Sequence, residues 1–276
     1  MPDELMTNPR ADRVKAVRAL ASRSVRRRTG TFLVEGPQAV REAVAPGSPR
    51  VHDVYVTVDA AARYPEIVAA ARDVGARVRN GTPDVLDAMS ADAQGVVAVV
   101  DQVGAGLDDV LTRRPRLVAV LAHVRDPGNA GTVLRAADAA GADAVVLTAS
   151  SVDVHNPKTV RSTAGSLFHL PVVPGPELPD AVGALRSAGL TVLAAAGSGE
   201  HDLDDLLDVV GAAPAGVPDL SRPTAWVFGN EAWGLRDEDL ALADATVRVP
   251  LRGRAESLNL ATAATVCLYA SGRAHR

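Results

Sequence analysis

Two short apolar runs, Leu117 to Leu121 and Ala144 to Leu147, enclose a polar turn from Asp126 and a stretch of helix-forming composition from Ala130 to Ala140 that Gly141 stops. A buried strand, a helix and a second buried strand in that order make a βαβ unit, whose strands are parallel and need cover on both faces. Ligands of open α/β sheets bind at turns such as Asp126 to Arg135, where a strand hands over to a helix. By itself the segment also reads as an ordinary helix N-terminus with a surface arginine.

The alternation continues to the end of the chain. Strands are expected near 117–121, 144–147, 167–173, 190–195, 225–229 and 246–250, and helices near 130–140, 156–164, 177–188, 202–209, 235–242 and 257–271. That pattern predicts an α/β fold with a mostly parallel sheet between helical layers. Residues 211–223, rich in Gly and Pro, read as a mobile surface loop. Ahead of this region, 31–34, 51–58 and 95–100 read as strands, and 37–44, 60–74 and a short segment from Pro83 as helices. The expected organisation is an N-terminal α/β domain over 1–103, a linker over 104–113 with Gly104 and Gly106, and a larger domain over 114–276.

Composition narrows the chemistry. Cys267 is the sole cysteine and lies in the apolar run 263–270, so it reads as a packing residue, and no disulfide or thiolate cluster is available. The six histidines fall at no ligand spacing, so no metal is expected. No apolar run reaches the ~18 residues of a membrane span, and the start, with Asp3, Glu4 and Arg10, lacks a signal-peptide core. A cytoplasmic protein with no membrane partner is expected.

The formal net charge of −4 hides an asymmetry. From Arg10 to Arg28, eight basic residues stand against the single acid Asp12, while Val14, Val17, Leu20 and Ala21 form a stripe that docks on a core. A solvated helix face is one reading; Arg26, Arg27 and Arg28 beyond the stripe favour an RNA or DNA backbone.

Familiar nucleotide turns are missing. Gly104-Ala105-Gly106 lacks the third glycine of a dinucleotide turn, Gly197-Ser198-Gly199 runs on into Glu200 and His201, and no Walker or Gly-x-Ser-x-Gly pattern occurs. What remains is three polar turns after apolar strands: Asp126 to Arg135, Phe228 to Leu235, and Val249 to Leu260. They could converge on one pocket. Singly, Glu231 reads as a helix N-terminal acid, Ser257 as an N-cap and Asn259 as a first-turn residue.

Taken together and in this order, the turns closely resemble the three motifs of the SpoU (TrmH) branch of the SPOUT methyltransferase superfamily, of the 23S ribosomal RNA type. Asn129 and Arg135 match the first motif, Gly229, Asn230 and Glu231 the second, and Ser257, Leu258 and Asn259 with the alanine-rich helix the third. The match covers Leu117 to Ala270, and Thr31 to Val44 looks like the start of a ribosomal-protein-L30e-like RNA-binding domain. Ala130, and Ala122-His123 in place of the usual acid-glycine pair, depart from the pattern and alter the packing of the turn more than its chemistry. The length of 211–223 is a further departure.

The resemblance implies transfer of a methyl group from S-adenosylmethionine to a ribose 2′-hydroxyl of 23S ribosomal RNA, by a homodimer whose subunits share each active site. A transfer-RNA methyltransferase and a non-catalytic RNA-binding protein are the alternatives. It further implies a deep trefoil knot in the C-terminal segment, a rare exception among protein chains. The cofactor would be held by Ala195, Gly229, Asn230, Glu231, Val249, Pro250, Leu251 and Leu258. Arg135, Asn129, Glu231, Ser257 and Asn259 would carry the reaction. A guanidinium with a pKa above ~12 is a poor base at neutral pH, so Arg135 is read as an oxyanion and phosphate clamp. Glu231 would orient it or accept a proton through water, and Asn129, Ser257 and Asn259 would position the groups.

Overall fold

The computed structural model describes residues 5–276; Asp3 and Glu4, read above against a signal peptide, lie outside them. The chain divides into two compact units. One runs up to Val103 and takes in His155–Phe168, and the other holds Gly104–Val154 and His169–Arg276.

The first unit contains, in chain order, α1 (Asp12–Ala19), α2 (Arg23–Thr29), β1 (Thr31–Glu35), α3 (Pro37–Ala43), β2 (Val51–Val56), α4 (Val58–Arg63), α5 (Pro65–Asp73), β3 (Arg77–Asn80), α6 (Pro83–Met89) and β4 (Val96–Asp101). Its sheet order is β1-β4-β2-β3, with β4 antiparallel to both neighbours and β2 parallel to β3. The helix expected over 60–74 is broken in two, because Pro65 lacks an N–H and holds Tyr64 at φ −125°, ψ 58°. Strand β3 was not expected; Arg77 and Arg79 flank buried Val78, and both pair with Asp53 of the neighbouring strand at 3.0 and 2.9 Å.

The basic segment is two helices. Val14, Val17 and Leu20 do pack into a core with Leu33, Tyr55, Leu86 and Val97. Arg26, expected at an RNA surface, is instead only 1% exposed, and its Nη1 donates to the carbonyls of Leu20 and Ala21 at 2.8 Å each. These carbonyls lie where α1 ends and lack helical partners, so a buried guanidinium there acts as a C-terminal cap. Arg27 and Arg28 are exposed.

The second unit opens with α7 (Leu107–Thr112), β5 (Leu117–Leu121), α8 (Pro127–Ala140) and β6 (Ala144–Leu147). The chain then enters α9 (Pro157–Ser162) and a single 3₁₀ turn (Ser166–Phe168), both part of the first unit. There Arg161 pairs with the buried Glu35 and with Asp92, and the Phe32 ring lies 4.8 Å from that of His155. Back in the second unit come β7 (Val172–Pro174), α10 (Leu178–Ser187), β8 (Thr191–Ala195), β9 (His201–Asp202), α11 (Leu203–Asp208), β10 (Thr224–Phe228), α12 (Asp237–Leu240), β11 (Ala245–Arg248) and α13 (Leu260–Ala274). Segment 167–173, expected to be a strand, is thus a 3₁₀ turn followed by a short β7.

The expected linker 104–113 is part of the second unit. Ala105 N donates to Val172 O at 2.8 Å, and Val110 of α7 is buried among Val118, Val120 and Leu185. The seven strands run in the order β7-β6-β5-β10-β8-β11-β9, and every pairing is parallel. All five residues of β5 and of β10 are buried. On one face Val118, Val120 and Val227 pack with Leu178, Val182 and Leu185 of α10. Elsewhere Trp226 Nε1 donates to Ser271 Oγ of α13 at 2.8 Å, and a Cβ on Gly272 would stand 2.4 Å from Ala140 O of α8. Only a glycine lets those two helices approach so closely. Cys267 is fully buried in α13, and burial pushes its thiol up to about 12, so it stays protonated at neutral pH.

Residues 211–223 carry no regular element but are anchored. Asp219 Oδ1 accepts from Gly211 N at 3.0 Å, Ser221 N at 2.9 Å and Ser221 Oγ at 2.8 Å, and Leu220 is fully buried. The Gly211 N–H, reinforced by Ser221, holds the Asp219 carboxyl below its ordinary range. Among the described residues no helix is long and apolar enough to cross a membrane, and no cluster of His, Cys, Asp or Glu suits a metal ion.

The burial of Arg26 separates it from its neighbours in a measurable way. Arg26→Ala removes two charge-assisted hydrogen bonds and should lower the unfolding free energy by about 2 kcal/mol or more. Arg27→Ala should change it by no more than ~0.5 kcal/mol. Urea titration of both variants checks the contrast; equal small effects would return Arg26 to the surface.

Candidate active site

Because all seven strands are parallel, the turns that follow them open on one edge of the sheet. Register brings four of these ends side by side: Leu121 lies opposite Phe228, Phe228 opposite Ala195, and Ala195 opposite Val247. The three polar turns and the turn after β8 therefore start as neighbours, although they are far apart in the chain.

The first turn is fixed by capping. Asp126 Oδ1 accepts from Asn129 N at 2.8 Å and Pro127 occupies the first turn of α8, a combination that starts a helix at one residue. The second turn closes on itself: Asn230 N donates to Gly234 O at 2.8 Å and Gly234 N to Asn230 O at 2.9 Å. A Cβ on Gly229 would stand 2.3 Å from the Gly234 carbonyl carbon, so the fold-back requires glycine. The third turn ends at Asn259, whose Oδ1 accepts from Ala261 N and Thr262 N and caps α13. The cap is thus Asn259 rather than Ser257, and the helix expected from 257 begins at Leu260.

Side chains then tie the turns together. Asn259 Nδ2 donates to Asn129 Oδ1 at 3.1 Å, and Asn129 Nδ2 donates to Glu231 Oε1 at 3.4 Å. Glu231 also accepts the main-chain N–H of Asp126 at 3.0 Å and of Arg125 at 3.2 Å. Asn230 Nδ2 donates to the carbonyl of His123 at 2.8 Å, and its Oδ1 accepts from Ala232 N at 2.8 Å. His123 has φ 60°, and its ring contacts Ser150 Oγ at 2.6 Å and Asp239 at 3.3 Å.

Beside this network lies a cavity of about 720 Å³. Ala195, Gly229, Asn230, Glu231, Val249, Pro250, Leu251 and Leu258, all anticipated as cofactor contacts, line it together with Ser257. Asn129 and Asn259 stand in the hydrogen-bonded chain through Glu231. Arg135 stands apart. It lies six residues beyond Asn129, about 9 Å along α8 and ~240° around it, is exposed, and makes no hydrogen bond or ion pair among the described residues. Glu231 therefore orients the first turn within this chain, not Arg135.

Several contributors escaped the reading of the sequence. Asp126 carried a legible signal, an acid directly before a helix-starting proline. The main-chain N–H groups of Arg125 and Asp126 and the His123 carbonyl carried none, because any residue type supplies them. Asp202 and Arg248 also line the cavity, and they pair at 3.3 Å.

The cavity lies within the ~300–1,000 Å³ range of small-molecule sites. Its apolar lining from Ala195, Val247, Val249 and Leu258, with Glu231 and Glu256 left over once Asp202 is paired with Arg248, suits a nucleoside carrying a positive charge. Gly229→Ala puts a methyl group into main chain that cannot yield. Calorimetric titration with S-adenosylmethionine should show affinity weakened more than tenfold, and retained affinity would mean that the 229–234 turn does not shape the cavity.

Comparison with known proteins places the chain in a family. The SpoU rRNA Methylase family matches residues 116–269, and the RNA 2'-O ribose methyltransferase substrate binding family matches residues 33–104. A 23S rRNA (uridine(2479)-2'-O)-methyltransferase of Streptomyces viridochromogenes is 36% identical over 92% of this chain and 86% of its own length. The 23S rRNA (guanosine(2553)-2'-O)-methyltransferase RlmP of Bacillus subtilis is 34% identical over 93% of this chain and 94% of its own. Among solved structures, an AdoMet-bound rRNA methyltransferase from Sinorhizobium meliloti superimposes with TM-score 0.82 at 30% identity, covering 98% of this chain and 97% of the other. The fold, the three joined turns and these matches make the chain a member of the SpoU rRNA methylase family.

Proposed function

We propose that this protein transfers a methyl group from S-adenosylmethionine to a ribose 2′-hydroxyl of 23S ribosomal RNA. The carrying observation is the chain Asn259–Asn129–Glu231, which joins the three family turns beside a cavity of fitting size. Two relatives named for 23S rRNA match over more than nine-tenths of the chain, whereas a transfer-RNA methyltransferase of Thermus thermophilus aligns with 60% of it. That difference supports the ribosomal substrate, and a protein acting on ribosomal RNA works in the cytoplasm.

Bound S-adenosylmethionine supplies an electrophilic methyl on a positively charged sulfur. The protein must align the ribose and stabilise the alkoxide that forms as its proton passes through water to Glu231. Main-chain groups at Gly229, Asn230, Val249, Pro250, Leu251 and Leu258, with Ala195, hold the cofactor, and Ser257, Asn129 and Asn259 position the ribose. Glu231 fixes the first turn. Arg135 serves as the electrostatic clamp on the alkoxide and its neighbouring phosphate, since its guanidinium cannot act as a base near neutral pH.

The working form is a homodimer. Val266 and Tyr269 of α13 are 39% and 50% exposed and share a groove with Ala139 of α8 and Leu207. An apolar stripe on a helix that otherwise packs inward suits a second copy of the same face. Arg135 lies four residues before Ala139, on the same side of α8, and so borders the face through which a partner's site comes within reach. Exposed Arg27 and Arg28, without Arg26, contact the RNA backbone. The C-terminal segment is knotted as in the family; a crystal structure tracing it unthreaded would remove that proposal.

Radiolabelled methyl transfer to total RNA, followed by mapping, should place the label on a 2′-O-methylated nucleotide of 23S rRNA. Label confined to transfer RNA, or no transfer, overturns the reading. Arg135→Ala should cut turnover at least a hundredfold with cofactor affinity within about twofold, as expected for a charge acting only on the developing oxyanion. In parallel, Val266→Asp with Tyr269→Asp should yield monomers by light scattering and little transfer. Arg27→Gln with Arg28→Gln should flatten the salt dependence of RNA binding. Full turnover in the monomer, or an unchanged salt slope, rejects the respective assignment.

A further inference from the structure

Trp233 is 46% exposed at the rim of the cavity, whereas the other tryptophan, Trp226, is fully buried and hydrogen-bonded. Burial is the ordinary fate of an indole, so this one is held out against its preference. The cause is the closed 230–234 turn, whose reciprocal main-chain bonds carry Trp233 at the tip. Two guanidinium groups flank the ring: Arg125, from the first turn, with Cζ 5.8 Å from the ring centroid, and Arg236 at 6.0 Å. Both lie within cation–π reach of the ring, ~6 Å, and the half-exposed indole still presents surface to a ligand beside them. The main-chain N–H of Arg125 is bound by Glu231, so indole and cation are referred to the same carboxylate as the reacting turns.

A rigid, exposed aromatic face between two cations matches one ligand chemistry, a planar base attached to phosphates. Unpaired nucleotides of RNA are bound in this way, with the base stacked on an aromatic ring and the phosphates held by arginine. We propose that Trp233, flanked by Arg125 and Arg236, is the stacking platform for the base of the RNA nucleotide whose ribose is methylated. The proposal rests on the reading of the protein as an RNA methyltransferase. Stacking on an arginine-flanked indole is sequence-tolerant, so the platform fixes where the nucleotide sits rather than which nucleotide is chosen.

The adenine of the cofactor is also a planar base, and the test separates the two sources. The probes are S-adenosylhomocysteine and an unmodified in vitro transcript of 23S rRNA, with the full-length protein. With Trp226 buried, quenching of the exposed indole emission reports Trp233, and Trp233→Phe gives the background. The transcript should quench that emission in wild type, S-adenosylhomocysteine alone should leave it unchanged, and Trp233→Phe should lose the signal. Trp233→Ala should lower kcat/KM for the transcript about tenfold or more, with S-adenosylmethionine affinity within about twofold, while Trp233→Phe restores most of the activity. Arg236→Gln, which leaves the turn intact, should raise the KM for the transcript with little change in cofactor affinity. Quenching by S-adenosylhomocysteine alone assigns the ring to the cofactor and overturns the proposal, as does unaltered turnover of Trp233→Ala. Wild-type protein that methylates no RNA defeats the underlying reading, whereas active wild type with an active Trp233→Ala defeats only the platform.

Discussion

The carboxylate of Glu231 is the point on which the site depends. It accepts two main-chain N–H groups from the turn after β5 and the amide of Asn129, which is itself bonded to Asn259. An anion receiving that many donors is satisfied without a counterion, and the donors are fixed by it in return. Loops from three strands are thereby held as one surface, and the mobility that a loop-built site would otherwise have is removed.

This arrangement needs the all-parallel sheet. Parallel register delivers Leu121, Phe228, Ala195 and Val247 to the same edge, and the buried strands hold the spacing between turns. Gly272 against Ala140 and Trp226 against Ser271 then bind α13 to α8 and to β10. Asn259 at the head of α13 is consequently held to the body of the unit as well as to Asn129. Its carbonyl oxygen caps a helix while its amide nitrogen completes the site, so one side chain serves folding and function together.

Legibility in the sequence followed the physics of each element. The strands 117–121 and 144–147 were readable to the residue, because uninterrupted apolar runs bounded by polar turns have no other use in an α/β chain. Strand β3 was hidden, since Arg77, Arg79 and Asn80 look like a solvated turn until Asp53 is seen beside them. Helix α7 was hidden by the glycines before it. Segment His155–Phe168 was read with the wrong unit, because local periodicity says nothing about which core a helix joins; Arg161 reaching Glu35 decides that. Within the site, Asn129, Glu231 and Asn259, whose side chains join the turns, were legible through the three motifs, and the Asp126 cap was not read from them. The N–H groups of Arg125 and Asp126 and the His123 carbonyl were not legible, and Arg26 misled because a cap and a phosphate contact use the same side chain.

The histidine at 123 shows how far this fixing extends. A side chain at φ 60° costs about 1–2 kcal/mol relative to an extended or helical one, and a glycine would occupy the position freely. The polar contacts of the ring with Ser150 and Asp239 offset that cost, and they hold the ring in place once the backbone is committed. What is obtained is a carbonyl aimed at Asn230 Nδ2, and Asn230 in turn holds Ala232 N. A glycine at 123 would accept the conformation without enforcing it, leaving the second turn one restraint short. His123 is therefore a second way of aligning the first turn with the second, parallel to Glu231 and built from a ring instead of a carboxylate.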